Sequence, residues 1–130
     1  MDRLSWRLDQ AGGALAGFGA LARIGTPSAI ERDAAIQRFD YTTEACWKAA
    51  QAVLLERFGV EAASPKAVIR ASAHNGLLSE LDARAGLLLI DDRNLTSHTY
   101  NEELAISLFG RLPAHCSVLE RWLVGLRNPQ

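Results

Sequence analysis

Apolar residues recur along the chain at intervals of three and four, interrupted by caps and turn residues, and this pattern predicts five helices. The first runs from near Asp2 to about Arg23, with Leu4, Leu8, Leu15, Phe18 and Leu21 broadly on helical spacing, and Gly25-Thr26-Pro27 stops it. The second starts at Ser28-Ala29-Ile30-Glu31, a capping box in which Ser and Glu each satisfy a free backbone N–H. Phe39, Thr43, Cys46, Ala50, Val53 and Arg57 recur every three or four residues, widened by Trp47, Leu54 and Phe58, so this helix reaches Phe58 and would span ~45 Å. Gly59 ends it. Ser64-Pro65 opens a short third helix that stops at Asn75-Gly76. A fourth starts at Ser79 and carries Leu81, Leu88 and Leu89. A fifth starts at Asn101, with Glu102 and Glu103 favourable in its first turn, and bears a stripe of Leu104, Leu108, Leu112, Cys116, Leu119, Leu123 and Leu126. Pro113 lies inside that stripe, removes a backbone hydrogen bond and is expected to kink or divide the helix. No segment alternates with period two. The expected fold is all-α, an antiparallel up-and-down bundle of about five helices in one domain, residues 1–130.

Composition narrows the function classes. The chain has 130 residues, 48% hydrophobic and 22% charged, the balance of a folded globular protein. Fourteen basic residues against 15 acidic ones exclude a broadly basic nucleic-acid coat. Cys46 and Cys116 are far apart, forming neither a redox pair nor a zinc knuckle, and read as buried thiols. His74, His98 and His115 fall in different segments, so no metal motif and no metal-dependent cofactor is expected. A nucleophile elbow on a strand-turn-helix is also missing. The N-terminus has no secretory pattern, and the most apolar stretch, Ala11 to Ala22, is too short to cross a bilayer; the expectation is a cytoplasmic protein with no membrane partner.

One stretch concentrates polar groups against the grain of the bundle: Asp91, Asp92, Arg93, Asn94, Thr96, Ser97, His98, Thr99 and Tyr100, with Leu95 alone apolar. In an ideal helix Arg93 and Tyr100 face almost the same way, whereas His98 is displaced by about 140° from Arg93. If the helix frays around Ser97, the three side chains can converge on one pocket. Such a pocket would hold a cation able to clamp a phosphate and a group able to move a proton near neutral pH. Each residue alone has an ordinary structural reading: Arg93 paired with Asp92 or a helix end, His98 and Tyr100 bonded to backbone.

Arg93-x4-His98-x-Tyr100 resembles the Arg-x4-His-x-Tyr signature of the HEPN superfamily, specifically the HepT-like proteins paired with a minimal nucleotidyltransferase. Phe39-Asp40-Tyr41-Thr42-Thr43-Glu44-Ala45-Cys46-Trp47-Lys48 and Ser64-Pro65-Lys66-Ala67-Val68-Ile69-Arg70 are similar to segments of its nucleotidyltransferase substrate-binding subfamily. The resemblance extends from about Arg38 to Glu103. It implies a homodimer whose two motifs face each other across the interface. It also implies that Arg93 positions a phosphate, His98 handles protons, and Asp92 and Asn94 support them. Tyr100 would be the residue that an ATP-using partner enzyme adenylylates. Phe39, Tyr41, Glu44, Trp47 and Lys48 become candidates for a partner or subunit interface, with Trp47 and Phe39 equally readable as core and Glu44 and Lys48 as a surface i, i+4 pair.

Two functions follow from the resemblance. The first is a metal-independent RNase toxin, with RNA as substrate, silenced by a separate small nucleotidyltransferase through Tyr100. The second is a non-catalytic subunit that presents a substrate to that enzyme. The chain is not itself the nucleotidyltransferase, because it lacks a Gly-Ser phosphate turn followed by paired metal-binding aspartates.

Overall fold

The computed structural model describes residues 2–128, and among them every regular element is helical. Helix α1 spans Arg3–Ala22, α2 Ala29–Phe58, α3 Pro65–His74, α4 Glu80–Arg93 and α5 Glu102–Arg127, with one turn of 3₁₀ helix at Thr96–His98. The starts follow the capping residues. The side chains of Asp2, Ser28, Ser64, Ser79 and Asn101 each accept a backbone N–H of the first turn, and Ser28 with Glu31 closes the reciprocal capping box. Gly59 ends α2 in the left-handed conformation, at φ 65°, where a side chain would be strained.

Helices α1, α2 and α5 pack against one another as the main layer, and the α3–α4 hairpin leans on α2 and α5. The core is built from Phe18 of α1, Phe39, Val53 and Leu54 of α2, and Leu108, Leu112, Leu119, Trp122 and Leu126 of α5, all fully buried. Burying each such side chain is worth ~2 kcal/mol. Cys46 and Cys116 are buried free thiols, and burial, with Cys116 nearby, pushes the Cys46 thiol up to about 12, which makes it chemically quiet.

Three details differ from the sequence-based expectation. Helix α5 is not divided and continues through Pro113 for 26 residues. Buried leucines on both sides of the proline pack both halves of the helix into one core, and their burial outweighs a penalty of about 3 kcal/mol for proline in a helix interior. On α4 the leucines face outward: Leu81 is 78% and Leu88 65% exposed, while Leu89 is buried with Ala83, Gly86 and Ile90. Within that face Gly86 lies close to α3; a methyl group on it would touch Ile69 at 3.4 Å. Arg57, placed on the apolar stripe of α2 by spacing, is exposed and its guanidinium donates to the Leu126 carbonyl.

Antiparallel pairing of α4 with α5 is matched by charge pairs along their length. Arg121 binds Asp82 at 2.8 and 3.1 Å, and Arg111 binds Asp92 at 2.8 and 2.9 Å. Both links are bidentate, and the step forward along α4 from one aspartate to the next is matched by an equal step back along α5.

Candidate functional site

The polar stretch sits where α4 ends. Helix α4 stops at Arg93 rather than near Ser97, with Asn94 as its exposed C-cap. The chain is drawn into a tighter turn by short-range bonds from threonine. Thr96 Oγ1 donates to the Arg93 carbonyl at 2.8 Å, and Thr99 Oγ1 to the Thr96 carbonyl at 3.1 Å. The His98 amide closes onto Leu95, and Asn101 then caps α5. An irregular end does exist, beginning some three residues earlier than spacing implied.

Neighbouring residues at that end turn to different helices, as the 100° step of an α-helix requires. Arg93 reaches α2: its Nε donates to Asp40 Oδ1 at 3.0 Å and an Nη to Glu44 Oε2 at 2.7 Å. Asp40 and Glu44 are one turn apart and form a two-carboxylate seat for the guanidinium. The seat is reinforced from behind, because the Trp47 indole N–H donates to Glu44 at 2.9 Å and Lys48 Nζ lies 3.2 Å from its other oxygen. Burial pushes the Glu44 carboxyl up, but the hydrogen bonds from Trp47 and Lys48 and the charges of Arg93 and Lys48 outweigh it and hold the group below the usual carboxylate range.

Asp92 turns the other way. It is buried, 8% exposed, and accepts both bonds from Arg111 and one contact of 2.6 Å with His115 Nε2. His115 is itself buried and stacked on Phe39, ring centroids 5.3 Å apart. Asp92 therefore ties α4 to α5, and the pairing with Arg93 that adjacency allowed does not form. Burial raises the Asp92 carboxyl, while the hydrogen bonds and charges of Arg111 and His115 outweigh it, leaving the group below its ordinary value.

His98 and Tyr100 point outward. Tyr100 is 87% exposed, and the two rings meet edge to face with centroids 6.3 Å apart. Beside them runs a groove of about 200 Å³ between α2 and the 3₁₀ turn, lined by Asp33, Ile36, Gln37 and Asp40 on one side and Thr96, Ser97 and Thr99 on the other. Its charged groups are carboxylates. Within one protomer, then, His98 and Tyr100 share an exposed rim while Arg93 is engaged with α2.

The candidate interface residues divide in the same way. Glu44, Trp47 and Lys48 make the seat of Arg93. Tyr41 is 44% exposed and accepts a hydrogen bond from Arg38 at 2.8 Å. Phe39 is fully buried in the core and cannot touch a partner. Asp40, Arg111 and His115 were not among the expected site residues. An acidic i, i+4 pair on α2 signals Asp40; the other two meet Asp92 from a distant helix, with no local signal. Among the described residues, no group of three or more potential metal-binding side chains forms a cluster, and no helix is long and apolar enough to cross a membrane.

The chain is thus a helical bundle with a buried apolar core and a polar, exposed turn at one end. The family described as nucleotidyltransferase substrate binding protein like matches residues 7–128, and the chain belongs to that family. Among solved structures, a protein from Thermus thermophilus is 53% identical, with a TM-score of 0.88 over 91% of this chain and 99% of that one. HI0074 from Haemophilus influenzae, whose structure is described as the fold of a substrate binding domain of a nucleotidyltransferase, is 21% identical. It shares the fold, with a TM-score of 0.78 over 93% of this chain and 99% of that one. No curated protein matches the chain.

Proposed function

We propose that this chain is the substrate-binding subunit of a separate small nucleotidyltransferase, presenting the turn from Thr96 to Tyr100 at the end of its bundle. The observation that carries this reading is the engagement of Arg93. Two carboxylates of α2 already take its Nε and one Nη, and the adjoining groove carries Asp33 and Asp40, an environment that repels a phosphate chain. Family membership supports the same reading. The partner is expected to be encoded next to this chain. Co-expression of the two should give a stable complex on size-exclusion chromatography, with affinity in the range of about 1 μM or tighter. Separate elution of the two at higher concentration would reject the proposal.

A HepT-like nuclease, acting as a homodimer and silenced at Tyr100, is the second reading, favoured by the exposure of His98 and Tyr100 on one rim. In it Arg93 and His98 would act on an RNA phosphate without metal, with Asn94 beside them. Purified protein should then cleave RNA in EDTA, and His98→Ala should abolish cleavage with the fold intact. The partner enzyme with ATP should add AMP to the wild type and not to Tyr100→Phe. RNA that stays intact, or AMP transfer that persists in Tyr100→Phe, removes the corresponding half of this reading.

A further inference from the structure

The α3–α4 hairpin carries a second concave surface, separate from the Arg93 end. It is a half-open groove of about 420 Å³, room for a mononucleotide-sized ligand. Its wall on α3 presents Arg70 and His74, one helical turn apart, and its wall on α4 presents Arg84. Among the described residues no ion pair engages Arg70 or His74. Glu80 also lines the groove and faces Arg84 at 3.5 Å, but both side chains are about four-fifths exposed, and so open a pair yields readily to a competing anion. The floor is apolar, made by Ala73, Ala83 and Leu87.

We propose that this groove binds a nucleoside monophosphate or a phosphate ester of similar size, the phosphate held between Arg70 and Arg84 with His74 beside it, and the ring lying on Ala73, Ala83 and Leu87. Two guanidiniums on opposing helices suit a phosphate better than a carboxylate, because its three terminal oxygens can accept from both sides at once. The site does not depend on the partner-subunit reading, since ligand binding and complex formation are scored separately.

Titration of the full chain with AMP, followed by backbone amide shifts, tests the site, with adenosine and inorganic phosphate as comparison probes. AMP should give saturable shifts between Arg70 and His74 and between Ala83 and Leu87, with Kd of about 1 mM or below, and adenosine should be far weaker. Arg70→Gln and Arg84→Gln should each raise the Kd for AMP roughly tenfold. Ala73→Leu, which fills the floor and leaves every cation in place, should weaken AMP and leave inorganic phosphate unchanged. No saturable shift with AMP, or an affinity untouched by both arginine variants, overturns the site. Equal loss of AMP and phosphate in Ala73→Leu overturns the placement of the ring.

Discussion

Asp92→Ala should lower the stability of the fold by about 2–4 kcal/mol, a drop in Tm of roughly 10 °C for a chain of this size, although the residue stands beside the candidate site. Removing a carboxylate from a buried pair leaves its partners uncompensated. Here the orphans are His115, 7% exposed, and Arg111, whose side chain is 42% exposed and can recover some hydration. That partial exposure places the effect below the full cost of breaking a buried ion pair. The pH dependence has a definite sign. The folded-state pKa of Asp92 is depressed, so its contribution is complete above the ordinary carboxylate value of 3.8 and is lost as pH falls through the lower folded value. The stability gap between wild type and Asp92→Ala should therefore be constant near neutrality and shrink in acid. Urea unfolding at several pH values measures it, and a gap that is already small at neutral pH would show that Asp92 does not hold α4 to α5.

Gly125→Ala should be the second severe substitution, and its direction runs against helix propensity. Alanine in place of a helical glycine normally stabilises, by about 1 kcal/mol in a helix interior and less in the last turn, where Gly125 lies. At this position the added methyl group would collide with the Leu77 carbonyl oxygen and press on the carbonyl carbon at 3.0 Å. The obstacle is backbone, and Leu77 is pinned: it is 2% exposed and its amide donates to the Ser72 carbonyl at 2.9 Å. Either the turn between α3 and α4 or the last two turns of α5 must move, breaking contacts around Trp122, whose indole donates to Ser72 Oγ at 3.1 Å. Overpacking typically costs about 1–3 kcal/mol, and more when backbone must shift, so the net expectation is a loss of about 2–3 kcal/mol. Thermal melting decides between the two signs: a Tm equal to or above that of wild type would mean that the turn at Leu77 yields freely.

Much of this architecture is legible from local signals. Ser28 with Glu31, Ser64 before Pro65, Ser79 and Asn101 mark helix starts because a cap acts within three residues of itself. The buried stripe of α5 is legible for a similar reason, since leucine at helical spacing has little use outside a core. What spacing cannot supply is the identity of the neighbour. Leu81 and Leu88 lie on one face of α4, but α4 turns that face to solvent and buries Ala83, Gly86, Leu89 and Ile90 instead. The site divides along the same line. The irregular turn after Arg93 follows from threonines bonding to nearby carbonyls, whereas the seat of Arg93 depends on α2 and the anchor of Asp92 on α5. Reading Asp92 and Arg93 as one functional unit treats as neighbours two residues whose partners lie on different helices.

The opposed attachments of Asp92 and Arg93 have a kinetic consequence. Within a single step of the chain, α4 is fastened to α2 on one side and to α5 on the other, so full opening at this point requires both ties to release. The following residues, to Asn101, are held mainly by short-range bonds of their own. Amide protons should pass abruptly from slow to fast exchange across this boundary. A protein that grips His98 and Tyr100 can then reshape the turn without transmitting the disturbance into the bundle, as a hinged tab can be bent while its rivet stays fixed.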